Sequence, residues 1–374
     1  MAKKLVLWWL RFWARVKLAR VRPTIIGVTG SAGKTSTVAA IAAALAQKFS
    51  VKTTGGANSE SGIPLAILDL KMQSYSVFDW LRVLVLAPAS ALKFKIKNFQ
   101  FLVCEMGVDE LTPPKNMGYL LSIVQPKIGV FLNVLPAHTL QMKNLANIAA
   151  EKGKLITSLP AGGTAILNQN DRRVAAFKNR TRAKTVFFDG SSLGAANAVA
   201  KLFSLVPIAS FAVPPGRGRI FSGINGSTII DSSYNASPGP VLAALEQLKN
   251  FKGRRVAVLG DMRELGGLAA RYHREVAKKA YASADAVIAV GPLCQKFFPK
   301  DKKLVARFPN SFSAGEFLRG FIKKGDTVLF KGSQNTIFLE AAVAMCLANK
   351  TDESSLCRRG SFWDKQRAVS AAAG

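Results

Sequence analysis

Gly27-Val28-Thr29-Gly30-Ser31-Ala32-Gly33-Lys34-Thr35 is the stretch on which the fold turns. The apolar run Thr24-Ile25-Ile26-Gly27-Val28 leads into it and reads as a short buried strand. The Ala-rich run from Thr37 to Gln47 leads out of it and reads as a helix. Strand, glycine loop and helix in that order build a phosphate site. Backbone N–H groups of the turn cradle phosphate oxygens, and the helix start adds the positive end of its dipole. In such a loop Lys34 reaches the outer phosphates and the Thr35 hydroxyl ligates magnesium. The generic G-x-x-x-x-G-K-[ST] pattern puts its first glycine at the position of Val28, whereas Gly27 stands one residue earlier. By itself the loop says only that the chain binds a nucleotide.

Outward from the loop, strand-like runs end near Glu105 (Phe101 to Cys104), near Asn133 (Ile128 to Leu132) and near Asn168 (Thr164 to Leu167), with helical stretches between them. Alternating strands and helices imply a mostly parallel sheet. Phe211-Ala212-Val213-Pro214-Pro215-Gly216 breaks the pattern as a linker. The alternation then restarts with strands at Ser227 to Asp231, Val256 to Gly260, Ala286 to Val290 and Thr327 to Phe330, and helices at Pro240 to Leu248 and Phe338 to Ala348. The expected class is α/β: a P-loop ATPase domain over 23–212 and a Rossmann-like α/β domain over 213–374, preceded by a separate helix over 1–22.

Residues 1–22 contain Lys3, Lys4, Arg11, Arg15, Lys17, Arg20 and Arg22, no acid, and Trp8, Trp9 and Trp13. The longest apolar run, Leu5 to Leu10, is far short of the roughly 20 residues of a membrane span. Arg11 and Arg15 interrupt any secretory core. As a helix, Leu5, Trp8, Trp9, Phe12, Trp13 and Val16 share one face, and Lys4, Arg11, Arg15 and Arg22 share another. Two readings stand: a helix at the anionic inner face of the membrane, or one packed on its own domain.

Lys plus Arg number 52 against 22 acids, a net charge of +30. That balance suits polyanions: nucleic acid, anionic lipid or phosphorylated substrates. Cys104, Cys294, Cys346 and Cys357 lie far apart with no CxxC pair, which argues against a zinc ribbon or a disulfide framework and for reduced, cytoplasmic thiols. No base-reading module is visible, so no specific nucleic acid is expected, although a nucleic-acid-dependent P-loop ATPase stays as an alternative.

Further motifs follow the loop in order: Asn58-Ser59-Glu60-Ser61-Gly62-Ile63-Pro64, Glu105-Met106-Gly107, Asn133 with His138, and Lys152-Gly153. Beyond the linker come Pro215-Gly216-Arg217, Asp231-Ser232-Ser233-Tyr234-Asn235-Ala236-Ser237-Pro238, Val258-Leu259-Gly260-Asp261-Met262-Arg263-Glu264-Leu265-Gly266 with His273, and Lys331-Gly332-Ser333. Together they resemble the Mur ligase superfamily, whose relatives include folylpolyglutamate synthetases, and within it the MurF type. The loop matches that family's T-G-[ST]-x-G-K-[ST]. The departures are Val108-Asp109-Glu110-Leu111 after E-x-G, Lys154 in place of an acid, Gln334 in place of an arginine, and only about 22 residues where the family carries a UDP-sugar domain.

The resemblance implies an ATP- and Mg2+-dependent ligase of peptidoglycan precursor synthesis that adds D-Ala-D-Ala to a muramoyl tripeptide through an acyl phosphate. Another ligase of the superfamily with a different acceptor is the alternative. It assigns Lys34, Glu105, His138 and Lys152 to catalysis and Thr35, Glu105, His138 and Lys152 to the metal, with Lys152 as a carbamate. It assigns Thr29, Gly30, Ser31, Ala32, Gly33, Lys34, Thr35, Ser36, Asn168, Asp171, Arg217 and Asp231 to the nucleotide. Asn58, Tyr234, Asn235, Asp261 and Lys331 are implied at the substrate.

Overall fold

The computed structural model describes residues 2–93, 98–136, 139–333 and 337–372. The chain divides into two compact units, Met1–Ala212 and Val213–Gly374.

The first unit is built on six strands: β1 Thr24–Thr29, β2 Val51–Thr53, β3 Phe101–Glu105, β4 Ile128–Phe131, β5 Thr164–Asn168 and β6 Lys184–Phe188. They lie in the order β2-β3-β1-β4-β5-β6, and every neighbouring pair is parallel. The helices are α1 Ala2–Val21, α2 Lys34–Leu45, α3 Gly62–Ile67, α4 Val77–Leu92, α5 Met117–Ile123, α6 Thr139–Met142, α7 Leu145–Thr157, α8 Arg172–Ala175 and α9 Ser192–Leu202. A parallel sheet needs cover on both faces. Alternate residues of β1 and β3 accordingly enter two cores. Ile26, Val28, Phe101 and Val103 meet α2 and α9, while Ile25, Leu102 and Cys104 meet helices of the opposite layer, among them α1, α4, α5 and α7. Gly27 lies in β1 because α7 comes close there: a Cβ would sit 2.9 Å from Leu155 and 2.8 Å from the Met106 sulfur. Its neighbour Val28 fills the other core, so the displaced glycine of the loop motif is a packing requirement of the strand.

Helix α1 is integral to this unit. Leu7, Leu10, Ala14 and Leu18 are buried, while Leu5, Trp8 and Phe12 remain exposed. Of the two readings of residues 1–22, packing on the domain is therefore met by one face of the helix only. Pro88 interrupts α4 and supplies no N–H for the Leu84 carbonyl. The Trp9 indole N–H of α1 donates to that carbonyl at 3.0 Å. No described helix is long and apolar enough to cross a membrane.

The second unit carries β7 Arg219–Gly223, β8 Ser227–Asp231, β9 Arg255–Gly260, β10 Ala286–Val290, β11 Leu304–Phe308 and β12 Thr327–Lys331. Their order is β11-β10-β9-β12-β8-β7, parallel except for the antiparallel β7–β8 pair. Helices α10 Pro238–Leu248, α11 Ala269–Ser283 and α12 Pro292–Phe297 cover one face. The others, α13 Ser311–Phe321 and α14 Glu340–Met345, cover the second face, and α15 Ser361–Ala372 ends the described chain. The α/β class expected from the sequence is the one observed in both units.

Candidate active site

In the first unit the chain passes from β1 to the far side of β3 and later returns to the other side of β1, so the strand order reverses around β1. Ligands of open parallel sheets sit at such a point, outside the carboxyl ends of the strands. The loops leaving β1, β3 and β4 converge there.

The β1–α2 loop is shaped for an anion. Gly33, at φ 84°, occupies left-handed backbone that only glycine adopts at little cost. No side chain caps α2, and its first turn holds no acid, which leaves the dipole end open to a phosphate. Asn133, just beyond β4, holds the loop in place. Its Oδ1 accepts from Ala32 N at 2.9 Å and its Nδ2 donates to Ala32 O at 3.1 Å. Ser31 N donates to the Asn133 carbonyl at 3.1 Å, and the Ser31 hydroxyl donates to Leu135 O at 3.0 Å. Thr29 is fully buried and its hydroxyl donates to Met106 O, tying β1 to the turn after β3. Ser36 is half-buried in the first turn of α2.

The residues expected at the metal meet in part. Glu105, 2% exposed at the end of β3, accepts from the Thr35 hydroxyl at 2.6 Å and from Asn58 Nδ2 at 3.1 Å. Its backbone N–H is held by the Thr54 hydroxyl. The Lys34 ammonium folds back to Gly30 O at 3.0 Å. A buried carboxylate beside a hydroxyl is a hard-oxygen donor set, which fits Mg2+. His138 lies outside the described residues, as does Gln334.

Lys152 is only 2% exposed. Burial and the nearby Lys34 charge pull its amine from 10.5 to about 7, against the attraction of Asp109, Glu151 and Glu105. Glu151 is buried, accepts from Met117 N at 2.8 Å at the start of α5, and pairs with Lys154. Gly153 leaves room for the Phe177 ring, whose atoms would be 2.0 Å from a Cβ.

Asn168 and Asp171 brace the strand ends. Asn168 donates to Leu132 O at 2.6 Å, while Asp171 accepts from Val134 N and caps α8 through Arg173 N and Val174 N.

In the second unit the Tyr234 loop is cradled by charge. The Arg217 guanidinium lies 4.2 Å above the Tyr234 ring. Arg358 donates to Tyr234 O and Ser233 O while paired with buried Glu340. Asp231 is fully buried. One oxygen accepts from Ser233 N and Oγ, the other has no hydrogen-bond partner, and burial pushes its carboxyl up. Lys331 donates to the Asn235 carbonyl at 3.1 Å, and burial together with Arg217 brings it down to about 8. Asp261 caps α12, accepting from Leu293 N and Cys294 N. With His273 and Cys294 it forms a tight trio, but both His273 nitrogens are engaged, by Met262 N and Ala269 O. This trio is a buried structural knot with no nitrogen lone pair left for a metal.

Asn133 as the loop's clamp and Arg358 as the support of Tyr234 were assigned no role from sequence. Asn133 stood inside a quoted motif; Arg358 carried no local signal.

Residues 28–206 match the Mur ligase middle domain, and residues 216–334 match the Mur ligase glutamate ligase domain. The UDP-N-acetylmuramoyl-tripeptide–D-alanyl-D-alanine ligase of a Synechocystis strain is 28% identical over 87% of this chain and 74% of its own length. The Bacillus subtilis ligase of the same name is 24% identical over 86% and 75%. The crystal structure of MurF ligase from Thermotoga maritima in complex with ADP covers 96% of this chain and 84% of its own, with a TM-score of 0.74 at 24% identity. This chain is therefore a ligase, and it belongs to the Mur ligase family.

Proposed function

We propose that the protein uses ATP and Mg2+ to join the terminal carboxylate of a muramoyl tripeptide to the amine of D-Ala-D-Ala, in the cytoplasm. The observation that carries this reading is the buried Glu105 carboxylate hydrogen-bonded to Thr35 at the mouth of the glycine loop.

A carboxylate is a poor electrophile. Its oxygen attacks the γ-phosphorus of ATP, ADP leaves, and an acyl phosphate forms. The amine then attacks the carbonyl carbon, loses a proton, and phosphate departs with the former carboxylate oxygen. Catalysis of this transfer is mainly positioning and charge neutralisation. Lys34 would leave Gly30 O for the outer phosphates, and the α2 N-terminus would face them as well. Glu105 and Thr35 would hold the magnesium, with His138 and a carbamylated Lys152 completing its oxygen and nitrogen donors. The metal would supply neutralisation of the phosphoryl charge. A lysine near 7 has neutral amine available at physiological pH, and only the neutral amine adds CO2. Carbamylation would replace a cation facing Lys34 by an anion, with Lys34 and the magnesium offsetting the charges of Asp109, Glu151 and Glu105.

Within the second unit, Arg217 and Asp231 are the residues we assign to nucleotide binding, and Tyr234, Asn235, Asp261 and Lys331 those we assign to the substrate. The unpartnered oxygen of Asp231 supports an interaction completed only when ligand is bound.

The test is ADP release by the intact protein with a panel of muramoyl peptides and candidate amines. Release should require ATP, Mg2+, a muramoyl tripeptide and D-Ala-D-Ala together, and Lys34→Ala should abolish it. Silence across the panel from folded protein overturns the reading. DNA- or RNA-stimulated hydrolysis without those substrates overturns it in favour of a nucleic-acid-dependent ATPase.

A further inference from the structure

Among the described residues, ten of the sixteen large exposed hydrophobic side chains lie on α1, on α4 or just before α4. They follow helical stripes. On α1, Leu5, Trp8 and Phe12 are exposed at intervals of three and four. On α4, Val77, Leu81, Val85 and Leu92 are exposed at multiples close to one turn. Between the helices runs a groove of about 450 Å³, lined from α1 by Leu5, Trp8 and Trp9 and from α4 by Leu81, Val85 and Pro88. Soluble domains seldom leave contiguous apolar surface of this kind without a partner.

The charge around it selects the partner. Residues 2–22 and 70–93 hold ten Lys and Arg and a single acid, Asp79. Asp79 is buried, where it binds Arg82 and the backbone N–H groups of Gln73, Ser74 and Tyr75. Lys3, Lys4, Arg15, Lys71 and Lys93 are exposed on or beside these two helices; Lys3 pairs with Glu60, and the exposed Asp69 just before the second segment is neutralised by Lys17 and Lys52. The two helices are also locked as one platform. Trp9 donates to Leu84 O, Arg20 donates to Ala91 O, and Lys17 reaches Ser90 and Asp69. A second copy of this chain would bring like charge against like.

We propose that the α1–α4 face docks on an anionic lipid bilayer, with the apolar stripes entering the headgroup boundary and the basic rim meeting lipid phosphates. This goes beyond an amphipathic α1 acting alone, because the inner face of α1 is committed to the domain and α4 supplies the most exposed apolar side chains, Phe78 at 83% and Val85 at 74%. It also holds independently of which carboxylate and amine the ligase joins.

The test is flotation of the full-length protein with vesicles of phosphatidylglycerol and phosphatidylcholine, and with pure phosphatidylcholine. Binding is expected to the anionic vesicles at low salt, to weaken as salt screens it, and to bring a blue shift in tryptophan emission that Trp8→Phe diminishes. The double variant Phe78→Glu/Val85→Glu should lower the bound fraction by about tenfold or more, and Arg15→Glu by about fivefold. Both should keep the wild-type melting temperature and ADP release, since these side chains already stand in solvent. No binding to anionic vesicles, or equal binding by the double variant, overturns the proposal. So does a wild-type dimer in solution that the double variant dissociates.

Discussion

Replacing Lys152 with methionine separates what this residue does from what it costs. Burial and the Lys34 charge lower its amine from 10.5 to about 7, and each unit corresponds to about 1.4 kcal/mol. Holding the ammonium inside the fold at low pH therefore costs up to about 5 kcal/mol relative to the unfolded chain. The sign follows from proton counts. Between about 7 and 10.5 the unfolded chain keeps the proton that the folded chain has released, so stability rises with pH across that window. Below 7 both states are protonated, and the cost is fully present. Methionine keeps the length and apolar stem without the amine. Lys152→Met should gain about 2–5 kcal/mol at pH 6, with the gain shrinking steadily toward pH 10. The measurement is urea unfolding of both proteins at a series of pH values in CO2-free buffer, so that the wild-type amine stays unmodified. The same variant should release no ADP under the conditions of the ligase assay. A destabilised Lys152→Met, or two parallel stability curves from pH 7 to 10, would refute the assignment of a buried, near-neutral amine.

The other expectations concern the loop and the α1–α4 contact. Glu105→Gln removes the charge while keeping the shape, so ADP release should fall by at least about 100-fold with unfolding stability little changed; activity within a few-fold of wild type would remove Glu105 from the metal. Asn133→Ala deletes both bonds to Ala32, and initial-rate kinetics should show KM for ATP raised about tenfold, the equivalent of one lost hydrogen bond, with kcat less affected; an unchanged KM would mean the loop holds its shape alone. Trp9→Phe strands the Leu84 carbonyl, which Pro88 cannot serve, and should cost about 1–3 kcal/mol in denaturant unfolding. In a Pro88→Ala background, where residue 88 regains an N–H for Leu84, the same change should cost distinctly less; equal costs would show that Trp9 acts by packing alone.

How far this molecule could be read from its sequence depended on where a residue's partners lie along the chain. The interior strands β1, β3, β8, β9, β10 and β12 are buried almost throughout and announce themselves as apolar runs. The four strands absent from the sequence reading, β2, β6, β7 and β11, are the outer strands of the two sheets. Each has half-exposed or exposed positions along most of its length, as in the Leu304–Phe308 strand, which contains no fully buried residue. A strand with one hydrogen-bonded neighbour and partial cover needs no continuous apolar run, so periodicity had nothing to report there.

The candidate site divides along the same line. Gly33, Lys34 and Thr35 sit on one short turn whose local backbone shape, set by Gly33, a motif can encode. The direction in which a polar side chain points is set by chain that is distant in sequence. Asn133 meets Ala32 across 101 residues, Arg358 meets Ser233 across 125, and Glu151 meets Met117 across 34. Motif matching places Asn168, Asp171 and Asp261 beside the ligand-facing residues, yet their side-chain oxygens are engaged in bracing strand ends and capping helices. Such residues can govern a site by fixing the backbone that lines it. The distinguishing measurement is therefore kinetic: loss of a brace disturbs KM and stability together, whereas loss of Glu105 should remove turnover and leave the fold standing.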